Sequence, residues 1–257
     1  MIYRETGQFK SSYASDQAIF PILQDRIFVL LAVAAAFLVP PLVANEYWLQ
    51  AVLIPFLVYA LAALGLNLLT GYAGQVSLGT GGFMAVGAYS AFKLSTAFPW
   101  LNIILVFLLS GLIAALVGVV FGIPSLRIKG FYLAVATLAA QFFLLWLFNK
   151  VPWFVNYAAS GTITAPTRTV LGVTVTGPQS TAGARYIVAV VLVAAFALVA
   201  KNLVRGRVGR SWMAIRDRDI AAEIIGVRPM RTKLLAFAIS SFYCGVAGAE
   251  YVFLYLG

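Results

Sequence analysis

Two stretches of the chain carry polar groups in patterns that could do chemistry. The first is Gly71-Tyr-Ala-Gly-Gln-Val-Ser-Leu-Gly-Thr-Gly-Gly-Phe-Met-Ala-Val-Gly-Ala-Tyr89, which joins two apolar runs without a single charge yet holds Gln75, Ser77 and Thr80. Each of its glycines lowers helix stability by ~1 kcal/mol relative to Ala, so a broken helix is the expected outcome. A helix broken inside a membrane exposes backbone N–H groups and a helix N-terminus, which can hold a carboxylate without a fixed counter-charge. Gly74, Gln75, Ser77, Gly79, Thr80 and Gly87 lie along such a break, and Phe83 and Tyr89 could wall a pocket for an apolar side chain. Close packing is the other reading. Gly81 with Ala85, and Gly87 with Ala91, are small pairs at four-residue spacing that let helices approach. The two readings are compatible.

The second stretch runs from Gly206 to Arg228 in a basic loop. Met213, Ile220, Ile224 and Val227 fall on one face of a helix, at offsets of seven, four and three. The polar set is Arg216, Asp217, Arg218, Asp219 and Glu223, and Gly226 followed by Pro229 supplies a stop. A short amphipathic helix of mixed charge suits a groove on a soluble partner. It equally suits a membrane surface, its arginines facing anionic lipid.

The elements that must position these stretches are set by composition. Of 257 residues, 62% are hydrophobic and 10% charged. A water-soluble fold of this size has too little interior for that apolar surface, whereas lipid replaces the missing core. The expected fold is an all-α integral membrane protein, since backbone groups in lipid must bond within their own segment. Seven hydrophobic segments follow: 27–44 (interrupted near its end by Pro40-Pro41), 49–70, the Gly-rich 71–93, 101–123, 131–148, 186–203 and 234–257. Residues 1–26 form a polar N-terminal segment without the pattern of a cleavable signal peptide, and 27–257 form the membrane domain. The apolar run to Gly257 has no polar tail behind it, the expectation for a piece of a longer membrane protein.

Charge orients the segments. The loop 204–233 holds Arg205, Arg207, Arg210, Arg216, Arg218, Arg228, Arg231 and Lys233, a concentration that belongs in the cytoplasm. Loop 149–185 is then external, and it carries only Lys150, Arg168 and Arg185 over a long stretch. The internal loop near residue 127 has Arg127 and Lys129, and the N-terminus, also internal, has Arg4, Lys10 and Arg26. Only the join 71–76 lacks positive charge on the inner side, which fits a join within the membrane. In the external loop, branched residues on either side of Leu171-Gly172 predict a small β-hairpin over 169–177, either a cap over the helix ends or a docking surface.

Other chemistries are excluded by what is missing. The net charge of +10 sits in short loops between spans, a sign of membrane topology rather than nucleic-acid binding. With no His and one Cys, neither a metal cluster nor a His-dependent triad can form. No Lys follows a Gly, so there is no phosphate loop, and no cofactor is expected. No span has a charge near its middle, and Glu250 lies roughly 25 Å beyond Lys233 at ~1.5 Å per residue, near the outer face. Carriers coupled to ions usually need an ionisable group at depth, so an ATP-independent carrier or channel is the disfavoured alternative.

Gly71-Tyr-Ala-Gly-Gln-Val-Ser-Leu-Gly79 resembles the signature of the branched-chain amino-acid permeases of ABC importers. Ala214-Ile-Arg-Asp-Arg-Asp-Ile-Ala-Ala-Glu-Ile-Ile-Gly226 resembles their cytoplasmic coupling loop. Ala221, Ala222 and Gly226 match the broader importer pattern Glu-Ala-Ala-x-x-x-Gly, with Ile220 standing in place of its Glu. The long N-terminus and the external hairpin are closer to the M-type subunit than to its H-type partner. The resemblance implies a non-enzymatic transport subunit in a bacterial plasma (inner) membrane with its N-terminus in the cytoplasm. It implies a second permease subunit, two ATP-binding subunits and an extracytoplasmic solute-binding protein as partners, besides lipid. It assigns Gly74, Gln75, Ser77, Gly79, Thr80, Phe83, Gly87 and Tyr89 to the substrate pathway, and Arg216, Asp217, Asp219, Ala221, Ala222, Glu223 and Gly226 to ATPase coupling. Similar permeases also serve urea and short-amide importers, so the motif does not fix the substrate.

Overall fold

A long apolar run in lipid satisfies its backbone within itself by forming a helix, and nearly every described element is one. The computed structural model describes residues 11–12, 23–125, 131–157, 165–170, 173–177 and 180–256. Helix α1 spans Leu23–Val43. Helix α2, Ile54–Asn67, is extended by π-helical turns at Trp48–Leu53 and Leu68–Tyr72. Then come α3 (Thr80–Ala97), α4 (Ile103–Ser125) and α5 (Phe131–Lys150). Strands β1 (Arg168–Val170) and β2 (Val173–Thr176) pair antiparallel, so the expected hairpin is present, although its turn at Leu171-Gly172 lies outside the described residues. Helix α6 covers Ala182–Arg205, α7 Arg207–Asp217, α8 Asp219–Ile224, and α9 Pro229–Glu250 with a π-helical turn Tyr251–Tyr255.

Six of these helical runs are long and apolar enough to cross a membrane: Gln24–Val43, Trp48–Tyr72, Ile103–Pro124, Tyr132–Lys150, Ala182–Arg205 and Pro229–Tyr255. The chain is an all-α integral membrane protein. The seventh expected segment is α3, whose Gly, Ser, Thr and Lys dilute its hydropathy. It does not need lipid on every side, because it packs among α4, α5 and α9. Arg127 and Lys129, expected on the inner side, and Arg4 and Lys10 near the N-terminus lie outside the described residues.

Pro40-Pro41 does not interrupt α1, which continues to Val43. A proline at position 40 leaves the Ala36 carbonyl without its intrahelical donor. The Tyr186 hydroxyl donates to that carbonyl at 2.9 Å, which repairs the loss and ties α1 to α6. Elsewhere α1 presents Leu30, Leu31, Leu38 and Leu42 outward, as a lipid-facing helix must.

Helix α9 is the axis of the bundle, packing against α4, α3 and α2. It comes this close because its partners meet it with glycines. A Cβ on Gly87 would lie 1.9 Å from the Gly245 carbonyl oxygen, and one on Gly248 would lie 1.9 Å from that of Met84. Without Cβ atoms the two backbones touch, and dispersion between them replaces the hydrophobic drive that lipid removes. The small-residue reading of the sequence therefore holds for Gly87 and Ala91, both buried, while Gly81 is exposed. Gly87→Ala should force α3 off α9. Overpacking of this kind costs ~1–3 kcal/mol, so the detergent-solubilised variant should melt several degrees below the parent; an unchanged melting temperature would refute this crossing.

Candidate functional site

The break expected after residue 70 is present, and its geometry follows from one backbone angle. The π-helical turn ends at Tyr72, Gly74 takes φ +67°, and the chain runs without helix to Gly79, the residue capping α3. Positive φ is strained for any residue with a Cβ, which is the local reason for glycine at 74. Here a Cβ would also lie 2.7 Å from Cγ of Arg216.

Non-helical backbone at this place must find partners from elsewhere in the protein. The Gln75 amide donates to the Leu69 carbonyl at 3.0 Å. The Leu78 amide donates to the Thr137 hydroxyl of α5 at 2.9 Å, and the Gly79 amide to the Ser77 hydroxyl at 3.3 Å. The Gln75 side chain donates through Nε2 to the Lys233 carbonyl at 3.3 Å, tying the join to the start of α9. Ser77 and Gln75 therefore serve the backbone of the join, and the amides of Leu78 and Gly79 are already occupied. Gly79 sits tight against α5, where a Cβ would lie 2.9 Å from the Thr137 carbonyl oxygen.

The remaining residues of the first stretch separate. Thr80 opens α3 and is half-buried. Phe83 is buried, edge-on to Phe237 at 5.6 Å between ring centres, and Gly87 lies in the crossing with Gly245. Tyr89 stacks on Phe148 at 4.4 Å and also lines an open groove of about 580 Å³ between α2, α3 and α9. Tyr59, Gly81, Met84, Ala88 and Tyr251 line the same groove, giving it an apolar floor edged by tyrosines. Phe83 is not among the residues that line this groove. Tyr59 and Tyr251, whose rings lie 6.2 Å apart, were not singled out by the sequence; only the fold brings two tyrosines nearly two hundred residues apart to the same groove.

The second stretch is not one helix. Arg218 adopts extended geometry, φ −155° and ψ 100°, and splits it into α7 and α8. The Asp219 carboxylate then accepts from the Ile220 amide at 3.0 Å, a local bond that competes with continued helix. The single apolar face through Met213, Ile220, Ile224 and Val227 is thereby lost. In its place α7 buries Gly209, Trp212 and Ile215, with Trp212 Nε1 donating to the Thr232 carbonyl at 3.2 Å. In α8 only Ala222 is buried; Ala221 and Glu223 are exposed, and Ile220, Ile224 and Ile225 are 74%, 82% and 75% exposed. The predicted stop is as expected: Gly226 has φ +91°, and the amides of Gly226 and Val227 close on the carbonyls of Glu223 and Ala222.

The two stretches meet. Arg216 donates from Nη1 to the Gly71 carbonyl at 2.8 Å, while its Nε bonds the Asp217 carboxylate at 3.0 Å. Asp219 lies 3.8 Å from Lys233 Nζ. The positive charge that the join lacks in sequence is supplied across space by Arg216. At the opposite end of the bundle, Arg168 of the hairpin donates to the carbonyls of Pro99 and Ser95, and Lys93 reaches Asn156 and lies 4.1 Å from the centre of the Trp153 ring. The sequence placed Glu250 near that far end, and the turn after it does contact β2. It is nonetheless completely buried, with both carboxylate oxygens unpartnered among the described residues. The chain therefore does hold a buried ionisable group, contrary to the expectation from its sequence.

The chain is 32% identical over 212 residues to the high-affinity branched-chain amino acid transport system permease protein LivM of Salmonella typhimurium, and equally to LivM of Escherichia coli K12. Each alignment covers 75% of this chain and 49% of the relative, so the chain spans about half the length of the curated relatives it matches. No solved structure matches significantly. The family described as branched-chain amino acid transport system / permease component matches residues 48–257, and the chain belongs to it.

Proposed function

We propose that the chain is the M-type permease subunit of an ATP-driven importer for branched-chain amino acids, seated in a bacterial inner membrane. The end bearing loop 204–233 faces the cytoplasm in this reading, and the N-terminus lies on the same side. Two ATP-binding subunits, a second permease and an extracytoplasmic solute-binding protein complete it. The observation that carries the reading is the family match together with α8, which leaves Ile220 and Ile224 exposed beside Asp219 and Glu223. Exposed isoleucines rimmed by charge are the form of a docking helix rather than of a solvated one.

The chemistry follows from the arrangement. Closure of the ATP-binding subunits pushes on α8 and α7. Trp212 passes that displacement to the start of α9, and the glycine-rich join passes it to α3. The groove edged by Tyr59, Tyr89 and Tyr251 offers an aliphatic side chain an apolar surface and its polar end a few hydroxyls. Weak, transient contact is what a pathway needs, and no strong site is expected there.

Leucine uptake by proteoliposomes holding the assembled transporter tests the reading. Uptake should require internal ATP and the binding protein; uptake by the permease alone, driven by an ion gradient, would instead establish a carrier, a reading that the buried Glu250 favours. Glu223→Arg should abolish uptake while leaving membrane insertion intact, and normal uptake with normal ATPase stimulation would remove the docking role. Gly79→Leu should block passage by wedging α3 from α5, read as loss of uptake in a stably inserted variant. Cys244 is buried, so introduced cysteines can be labelled against a silent background. A cysteine at Arg231 should react only from inside intact cells, and one at Thr169 only from outside.

A further inference from the structure

Arg216, in the basic loop 204–233, keeps 42% of its side chain exposed, yet its guanidinium reaches back to the broken segment. Arg216 lies in the last turn of α7. It folds back to the Gly71 carbonyl at 2.8 Å. That carbonyl belongs to the π-helical turn that ends at Tyr72, where helix gives way to the join. The Arg216 stem lies directly over Gly74, so closely that any side chain there would collide with it. The Asp217 carboxylate holds the guanidinium from its other edge at 3.0 Å. Gln75 makes a second tie from the join to Lys233, at the start of α9.

Three features converge on this contact: a charged donor, a carbonyl at the end of a helix, and a glycine forced to positive φ beneath the arginine stem. Cations are favoured at helix C-termini, and hydrogen bonds from charged donors are stronger than neutral ones. The join has no other positive group on its own stretch of chain. We infer that Arg216 is a positioning residue that locks the surface helix α7 to the broken segment 71–79, so that displacement of α7–α8 is delivered directly to the entry of α3 rather than only through the ends of α6 and α9. This rests on the importer reading for the energy source, but the lock itself does not.

The lock is tested first without reference to ATP. A nitroxide placed by Val76→Cys, an exposed position in the join, should report restricted motion in the otherwise intact protein. Arg216→Ala should narrow its spectrum markedly, and Arg216→Lys, which keeps a donor for the Gly71 carbonyl, should restore most of the restriction. An unchanged spectrum in Arg216→Ala would overturn the inference, whatever drives transport. In the assembled transporter the readout is leucine imported per ATP hydrolysed. Arg216→Ala should lower that ratio about tenfold, the scale of one lost charge-assisted hydrogen bond, with the ATP-binding subunits still co-purifying. Gly74→Ala, which crowds the same contact from the other side, should lower it too. Loss of the ATP-binding subunits from Arg216→Ala would make Arg216 a docking residue and overturn the inference. Uptake that never needs ATP in the parent would sink the importer reading while leaving the spectroscopic result to decide the lock.

Discussion

Backbone amides and carbonyls within a bilayer have no water to turn to, and every departure from helix must therefore be matched by a group from elsewhere in the protein. The architecture follows from this. Where Pro40 removes a helical donor, Tyr186 supplies one from α6. Where the chain leaves helix between Tyr72 and Thr80, Thr137, Ser77, Gln75 and Arg216 each satisfy or present a partner. Each repair draws a distant element to the break, so the irregular backbone becomes the place where α5, α7, α9 and the end of α2 converge.

The same absence of water changes how helices hold together. Lipid offers leucine an environment as apolar as a protein core, so burying leucine gains little. Backbone proximity takes its place, and α9 obtains it from glycines: Gly87 against Gly245, Gly248 against Met84, Gly245 against Gly111. The start of this central helix is held by Trp212, through the Thr232 carbonyl, and by Gln75, through the Lys233 carbonyl. Beside it, α8 leaves Ile220 and Ile224 exposed. The chain belongs to a family of permease components, and the proposed coupling role draws on this pairing.

Much was legible in order along the chain. Span periodicity and length gave the helices, since lipid thickness dictates about 20 apolar residues whatever the partners. Glycine density gave the break at 71–79, because the cost of glycine in a helix is local. Gly226 and the hairpin at 169–177 were legible for the same reason: turn chemistry acts over a few residues. The split at Arg218 was not, although its cause is also local. Helical offsets alone joined Met213 to Ile220, while a β-region residue between them, stabilised by the Asp219 carboxylate, rotated the two halves apart.

The sequence by itself determined that this chain crosses a membrane as helices, that one of them breaks at glycines, and that a basic loop follows α6. These depend on composition and on interactions between near neighbours. Tertiary structure alone decided that Tyr59, Tyr89 and Tyr251 edge one groove, that Glu250 is buried, and that Arg216 reaches Gly71 across 145 positions. The physical reason is that crossing angles and rotations of packed helices arise from side-chain interlock between segments, and no spacing along the chain encodes which faces will meet.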